Sequence, residues 1–326
     1  QNMPDDLFAR ATWEGRNLTA LTSLWQRHVT TSALHTVCPK VGAGFFYYPS
    51  LGSHIRGAKA LADIRKGERV CVIPVQELLS EYVVGNSSLL PVLRWASDLT
   101  MPAKDGRTVR KRRKFVDDRT KIVLYMLREL TRSRGPRMPY LQLIQSHDVR
   151  GVPALWPELS NEWRQANPET RALAMRARSH AKMQYTTVIV PALSRFPKEL
   201  SDGLECVSGI CDRGRLEEVY AWPRFHRLFA IVSARDWVLP MDGQDRAFLA
   251  PMLDLLNFGQ VGIRAEFRQA ENAFVATATR PIVKGSELLF YYGNMCREVW
   301  TSTYGFAPAE AKPCSTRTAT GASLLR

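Results

Sequence analysis

The chain lacks three features that would each assign it to a broad class of protein. None of its 326 residues falls in an apolar run of about eighteen, so no membrane-spanning helix is expected. No apolar segment follows Gln1, so the sequence predicts no secretion signal. No CxxC pair occurs, and the five-residue step from Cys206 to Cys211 fits no common zinc spacing. We therefore predict no metal site.

The cysteines also lack a close-spaced framework. Six cysteines scattered along the chain favour free thiols, which indicates a reducing intracellular compartment. The sequence does not choose between nucleus, cytoplasm and plastid. Asn17-Leu-Thr and Asn86-Ser-Ser are formal glycosylation sequons, but such triplets arise by chance and carry little weight by themselves.

Charge is the strongest bias in the composition. The net charge is +14, which favours acidic partners, while 45% hydrophobic residues are enough for a sizeable core. The segment from Lys104 to Lys114 (residues 104–114) contains seven basic residues and one acidic residue. This run is the candidate contact for nucleic acid or an acidic protein. The alternative is a solvated loop between two helices, and no aromatic residue interleaves to stack on bases. We expect a monomer.

Two segments far apart in the chain look alike. Residues 64–73 carry a Lys66-Gly67 turn before an apolar strand, and residues 282–290 repeat the pattern around Lys284-Gly285. They are either two halves of one β-rich module or a coincidence, because Lys-Gly turns are common. A glycine-punctuated aromatic strand at 41–47 precedes the first segment.

Helical periodicity occupies most of the remaining chain. It predicts an N-terminal helix within 18–35 and further helices at 117–130, 167–185 and 216–232. The last residues, 307–326, are small and polar and predict a flexible tail.

Three short signatures lie in the last quarter of the sequence, before the tail. They are residues 251–258 (PMLDLLNF), 287–293 (ELLFYYG) and 304–306 (YGF). Asp254 and Asn257, three apart, can share one face of a short helical turn. Taken singly, each signature is more typical of a cap, a turn or aromatic packing. Their order is the informative feature.

In that order they resemble the end of a SET-domain methyltransferase. Residues 139–144 (PYLQLI), 153–156 (PALW) and Trp222 with 233–235 (SAR) resemble the branch of Rubisco large-subunit and actin-histidine methyltransferases. The resemblance implies an α+β fold with a β-rich, pseudoknotted SET core interrupted by a large helical insertion. It divides the chain into a helical segment 1–37, core halves 38–85 and 245–306, an insertion 86–244 and the tail 307–326. The helical substrate-binding domain of such relatives would follow Phe306 and is absent from the sequence.

The resemblance also implies a site for S-adenosylmethionine and a protein side chain. Its catalytic residue would be Tyr292, and Tyr291, Tyr304 and Phe306 would line the substrate channel. The residues implied to bind the cofactor are Gly42, Ala43, Gly44, Phe45, Arg235, Asp254, Asn257, Phe258, Tyr292, Tyr304 and Phe306. Glycine in a strand suits close backbone approach to a ligand, and an arginine suits the cofactor carboxylate.

Two positions depart from the pattern of that branch. Phe258 stands where a histidine is usual, and Arg297 replaces an asparagine between the two Tyr-Gly units. The implied function is S-adenosylmethionine-dependent methylation of a protein lysine. The alternatives are methylation of a histidine, a catalytically weakened SET-like peptide-binding scaffold, and a nucleic-acid-binding protein acting through residues 104–114.

Overall fold

The computed structural model describes residues 38–48, 53–99, 116–132, 135, 137–147, 149–204, 206, 209–241 and 243–315. The predicted helix within 18–35 and the basic run 104–114 lie outside these residues. The chain divides into two compact units. The first takes in the described residues of Gln1–Leu79, Pro136–His147 and Asp236–Asn294, and the second those of Ser80–Gly135, Asp148–Arg235 and Met295–Arg326. Within the described ranges, no helix is long and apolar enough to cross a membrane.

Strands dominate the first unit. They are β1 (Val41–Tyr48), β2 (Ser53–Ala60), β3 (Arg69–Pro74), β4 (Trp237–Met241), β5 (Gln244–Phe248), β6 (Asn257–Arg268), β7 (Ala273–Ala278) and β8 (Glu287–Phe290). Six form one sheet in the order β1-β2-β8-β6-β7-β3, and β4 pairs with β5. Pairing is antiparallel except between β6 and β8, which run parallel. The core beneath the sheet is apolar and includes Ile73, Phe248 and Phe274, each buried.

The two look-alike segments meet in space. Ile64 and Ile282 exchange both backbone hydrogen bonds at 2.9 Å, forming an antiparallel bridge. Both turn glycines, Gly67 and Gly285, have positive φ angles of 79° and 89°, which residues with a Cβ rarely adopt. The Asp63 carboxylate accepts from the Lys284 amide at 2.8 Å. The two halves of the predicted β-rich module therefore pair directly through their turns.

Helices dominate the second unit and one belongs to the first. In chain order they are α1 (Glu81–Gly85), α2 (Leu90–Asp98), α3 (Asp118–Glu129), α4 (Met138–Gln145), α5 (Asn161–Gln165), α6 (Pro168–Gln184), α7 (Val190–Arg195), α8 (Pro197–Ser201), α9 (Arg213–Val219), α10 (Trp222–Ser233) and α11 (Arg297–Tyr304). A π-helical turn, Tyr185–Ile189, joins α6 to α7. Only α4 lies in the first unit. The α+β class is confirmed. In its described part, the predicted insertion 86–244 contains helices α2 to α10 and also strand β4.

Side-chain caps explain where several helices begin. Asp117 accepts from the Thr120 amide at 2.6 Å and Asn167 from the Thr170 amide at 2.7 Å, satisfying amides that have no partner within the helix. The prediction of one helix over 216–232 is wrong. Helix α9 ends at Val219 and α10 begins at Trp222, because Pro223 can enter only the first turn of a helix.

The expectation of free thiols is also wrong. Disulfides join Cys38 to Cys71, Cys206 to Cys211, and Cys296 to Cys314. Sequence spacing could not show this, because partners separated by 33 and 18 residues meet only once the fold is made.

The start of the predicted flexible tail is anchored. The Lys312 carbonyl accepts from the Arg297 amide at 2.7 Å, and the Cys314 amide donates to Glu298 at 2.6 Å. The bond from Cys296 to Cys314 closes the same loop. Residues 316–326 lie outside the described part of the chain.

Packing around Gly262 generates a testable prediction. A Cβ at this position in β6 would lie 2.4 Å from the Leu289 carbonyl oxygen, and this obstacle is backbone. We expect Gly262→Ala to destabilise the fold by about 1–3 kcal/mol. The measurement is the free energy of unfolding in a denaturant titration.

The matched control is Gly85→Ala, where nothing lies within 4 Å of the added Cβ. This change should leave stability unchanged or raise it by up to about 1 kcal/mol. Equal effects of the two substitutions would contradict the close approach of β6 to β8.

Candidate functional site

The candidate site is built around Gly57 of β2. Gly44 of β1 lies opposite Gly57 in the strand register. A Cβ on Gly57 would lie 2.4 Å from Glu287 Oε1 and 2.8 Å from Asn257 Nδ2. The missing side chain therefore lets two polar side chains, from the starts of β8 and β6, lie against β2.

These side chains form one hydrogen-bonded cluster, which we call the Asn257 cluster: Tyr48, Asn257 and Glu287. The Asn257 amide nitrogen donates to Glu287 Oε1 at 2.7 Å and to the Arg56 carbonyl at 3.0 Å. The Tyr48 hydroxyl donates to the two Glu287 oxygens at 3.1 and 3.0 Å. The parallel register of β6 and β8 places Asn257 beside Leu289 and so within reach of Glu287.

Burial sets the electrostatics of this cluster. Removal from water raises the pKa of Glu287 above its ordinary value, and the hydrogen bonds from Asn257 and Tyr48 only partly oppose this. Burial, followed by the Glu287 charge, raises the pKa of Tyr48. Tyr48 is therefore a neutral donor throughout the ordinary pH range. Glu287 is a carboxylate that holds its proton more readily than an exposed one.

Three aromatic rings from β6 and from the segment after β8 lie together. Phe258, the residue after Asn257, has its ring centroid 6.1 Å from that of Tyr291 and 5.9 Å from that of Tyr292. The Tyr292 hydroxyl donates to the Leu256 carbonyl, so its proton is directed at the protein. Tyr291 is exposed. The structure therefore brings the rings of Phe258, Tyr291 and Tyr292 together, and the electrostatic effect of Tyr292 reaches Tyr48 of the cluster.

Asp254 has a supporting position in the first unit. It is buried and accepts a hydrogen bond from the Tyr140 hydroxyl of α4. Its 3₁₀ turn, Leu253–Leu255, follows Met252, a fully buried residue with a φ of 78°. Such a conformation costs energy and persists only where surrounding packing enforces it. The predicted shared helical face is wrong, because the turn ends before Asn257, which begins β6.

The glycines of β1 lie close to protein side chains. A Cβ on Gly42 would lie 2.8 Å from the Leu61 side chain, and one on Gly44 would lie 3.1 Å from Lys59 and Phe46. Packing against these side chains therefore favours glycine at both positions, in addition to the predicted approach of a ligand. Strand β1 ends the strand order of the sheet, so backbone groups of Gly42, Ala43, Gly44 and Phe45 lie on an edge strand.

Three predicted site residues lie in the second unit. Arg235 follows α10 and is half-buried. Tyr304 ends α11 and its ring lies 5.1 Å from Trp300, which is also 5.7 Å from Phe306. Between them, Gly305 has a φ of 81° and ends the helix.

Sequence reasoning missed Tyr48, Glu287 and Tyr140 as members of the site. Glu287 opens the motif at 287–293 and its position before a strand was the available signal. Tyr48 is 239 residues from Glu287, and Tyr140 is 114 residues from Asp254. No local pattern connects partners at such separations.

Comparison with known proteins assigns the fold. No protein-family model matches the chain. Human N-lysine methyltransferase SETD6 is 23% identical over 256 residues, which are 77% of this chain and 47% of the human protein. Two solved structures are similar: the SET domain of LSMT bound to lysine and AdoHcy, and Rubisco LSMT bound to sinefungin and monomethyllysine. Their TM-scores are 0.59 and 0.58 at 16% and 14% identity, over 90% and 89% of this chain and 58% and 57% of theirs.

The chain therefore has the SET-domain fold of the LSMT-like branch, and the predicted resemblance is confirmed at this level. It spans about half the length of the human relative.

The raised pKa of Glu287 predicts a pH dependence of stability. The carboxyl binds its proton more tightly when folded, so its contribution is fully present below its ordinary pKa of 4.5 and is lost as pH rises through the folded value. Glutamine keeps an acceptor for Asn257 and cannot ionise. We expect the stability of Glu287→Gln, relative to the parent, to increase with pH above about 4.5.

The measurement is the free energy of unfolding of both proteins from pH 4 to pH 8 in steps of roughly one unit. Glu266→Gln is the control, since Glu266 lies on β6 outside the Asn257 cluster, is half-exposed and pairs with Arg264 and Arg268. A parallel pH dependence for the parent and Glu287→Gln would show that Glu287 keeps an ordinary pKa in the folded chain.

Proposed function

We propose that this chain is an S-adenosylmethionine-dependent protein N-methyltransferase that acts on lysine. The observation that carries the proposal is the Asn257 cluster together with the ring pair of Phe258 and Tyr292, on a fold shared with LSMT structures that hold lysine and AdoHcy. Both molecules arrive from neutral solution as cations: a sulfonium, and an ammonium that must lose a proton before transfer. Aromatic faces and a carboxylate are the groups that stabilise cations in proteins.

The residues of the first unit fit this cofactor. The β1 edge offers backbone donors and acceptors, and Phe258 offers an aromatic ring in place of the histidine usual in the branch. S-adenosylmethionine, when bound, supplies an electrophilic methyl group on sulfur. Arg235, Tyr304 and Phe306 remain predicted members of the site by resemblance.

Tyr292 is the proposed catalytic residue. The Tyr292 hydroxyl donates to the Leu256 carbonyl, and a hydroxyl oxygen whose proton is directed in this way is the kind of group that accepts from an amine N–H. A hydrogen bond of that kind would align the nitrogen lone pair with the methyl group, and alignment supplies a large part of such rate accelerations. The amine must be neutral to react, and an apolar aromatic surrounding lowers the pKa of a lysine.

The proposal predicts cofactor binding that depends on Asn257. In calorimetric titration with S-adenosylmethionine, the parent chain should bind and Asn257→Ala should not, because the truncation removes one of the two donors of Glu287 and the hydrogen bond to the Arg56 carbonyl. Asn161→Ala, at the start of α5 in the second unit, is the control. Unfolding curves must show that both variants are folded. Absence of binding by the folded parent would favour the scaffold alternative.

The proposal also predicts the effect of removing one hydroxyl. Tyr292→Phe should stay folded and bind cofactor, while methyl transfer to lysine-containing peptides falls on the order of a hundredfold. Transfer is measured as the mass gain of the peptides and as release of S-adenosylhomocysteine. Tyr82→Phe, an exposed tyrosine of α1, is the control. Matched peptides with histidine in place of lysine separate the two acceptors. Full activity in Tyr292→Phe would remove Tyr292 from the mechanism.

A further inference from the structure

The three disulfides use every cysteine in the chain. Six cysteines form three pairs, with Cα–Cα distances of 4.3, 5.0 and 4.9 Å, and each pair closes within one unit. These separations are close to or within the range that disulfides in proteins require. Structural disulfides are rare in compartments that keep thiols reduced. A complete set of pairs is therefore evidence about where the chain folds.

The disulfide between Cys38 and Cys71 links the segment before β1 to β3. Cys38 precedes β1 and Cys71 lies in β3, and these strands stand at the two ends of the sheet order. Both cysteines are buried, at 1% exposure, in the apolar core of the first unit. A cross-link that closes a long loop restricts the unfolded chain and so stabilises the folded one.

The bond between Cys296 and Cys314 fastens the end of the described chain. Cys296 is the residue before α11, and Cys314 follows the segment that hydrogen-bonds to Arg297. Glu298 lies close enough to both sulfurs for the three residues to form a group that could hold a metal ion. The alternative to a disulfide at this pair is therefore a metal ion bound by the two thiols and Glu298.

A glycosylation sequon gives an independent observation. Asn86-Ser87-Ser88 has no proline in its middle position, and Asn86 is exposed at the end of α1. Its backbone amide donates to the Tyr82 carbonyl at 3.1 Å, which fixes Asn86 as the residue that ends the helix. Such a triplet has meaning only in a chain that passes through a glycosylating compartment, which is also an oxidising one.

We propose that this chain folds in an oxidising, glycosylating compartment, where its three disulfides form and Asn86 accepts an N-linked glycan. Each pair of thiols would be oxidised by a disulfide oxidant of the glutathione disulfide type, which is reduced to two thiols. In the glycan transfer, a bond forms between Asn86 Nδ2 and the anomeric carbon of a lipid pyrophosphate-linked oligosaccharide. The carbon–phosphate oxygen bond breaks, the lipid pyrophosphate leaves, and the amide loses one proton.

The first test concerns the thiols. The full chain is directed to the secretory pathway of a eukaryotic host, denatured without reductant and treated with a thiol-alkylating reagent. We expect no alkylated cysteine before reduction, six after it, and peptide mapping of the three pairs. Reduction should lower the melting midpoint on the order of 5–10 °C. Six alkylated thiols without reduction, or an unchanged midpoint, would overturn the oxidised state.

A matched variant tests one pair at a time. The doubly substituted chain Cys38→Ser and Cys71→Ser should reproduce most of the loss of melting midpoint, and Cys206→Ser with Cys211→Ser should lose less because its loop is five residues long. The metal content of both variants is measured at the same time. Free Cys296 and Cys314 with one bound metal ion per chain would overturn the third disulfide in favour of a metal site.

The second test concerns Asn86. Digestion of the secreted chain with a peptide N-glycosidase should remove a glycan mass from the Asn86 peptide. Asn86→Gln should abolish that mass, and Asn17→Gln should not affect it. An unmodified Asn86 in the secreted, disulfide-bonded parent would overturn the glycan assignment. Neither test measures methyl transfer, so their outcomes are independent of the proposed enzymatic function.

Discussion

The pair of backbone hydrogen bonds between Ile64 and Ile282 is the constraint on which the first unit depends. It fixes two chain segments that are more than two hundred residues apart in one antiparallel register. The same register places β8 beside β2, and β6 then pairs in parallel with β8. Loop closure over such a distance carries an entropic cost that only cooperative packing offsets. The buried strands and the disulfide from Cys38 to Cys71 provide that packing and a covalent closure.

The Asn257 cluster forms because of this strand register, and its hydrogen bonds also help to hold the strands in that register. A carboxylate that loses water needs donors, and Glu287 obtains them from Asn257 and Tyr48. Those donors come from β6 and β1, so the cluster ties three strands through one charged group. Gly57 is the residue that leaves room for it. Tyr292, whose ring packs with Phe258, also contributes to raising the pKa of Tyr48, which links the cluster electrostatically to those rings. A carboxyl group and aromatic rings are each suited to a cationic ligand.

Local features were predictable from the sequence, and long-range ones were not. The Lys-Gly turns, the glycine-rich β1 and the helix predicted from residue 117 each depend on a few neighbouring residues, and the structure confirms all three. The signatures at 251–258 and 287–293 led to Asn257 and Tyr292. Glu287 was not identified as a partner of Asn257, because their contact depends on strand register and not on spacing. The disulfides Cys38–Cys71 and Cys296–Cys314 were not predicted for the same reason, since their partners meet only in the completed fold.

The packing of the β1 glycines offers a second explanation for how this strand affects cofactor binding. Glycine at a ligand site is usually explained by the ligand's need for space. Here the Lys59 side chain of β2 lies 3.1 Å from the position of a Cβ on Gly44, so a larger residue there would press on β2. At Gly42 the neighbour is the end of the exposed Leu61 side chain, which can move aside. Strand β2 also carries Gly57 and the Arg56 carbonyl that accepts from Asn257. Loss of cofactor affinity in a Gly44 variant would therefore have a route through movement of the Asn257 cluster, and strand packing would link the glycine-rich strand to the site.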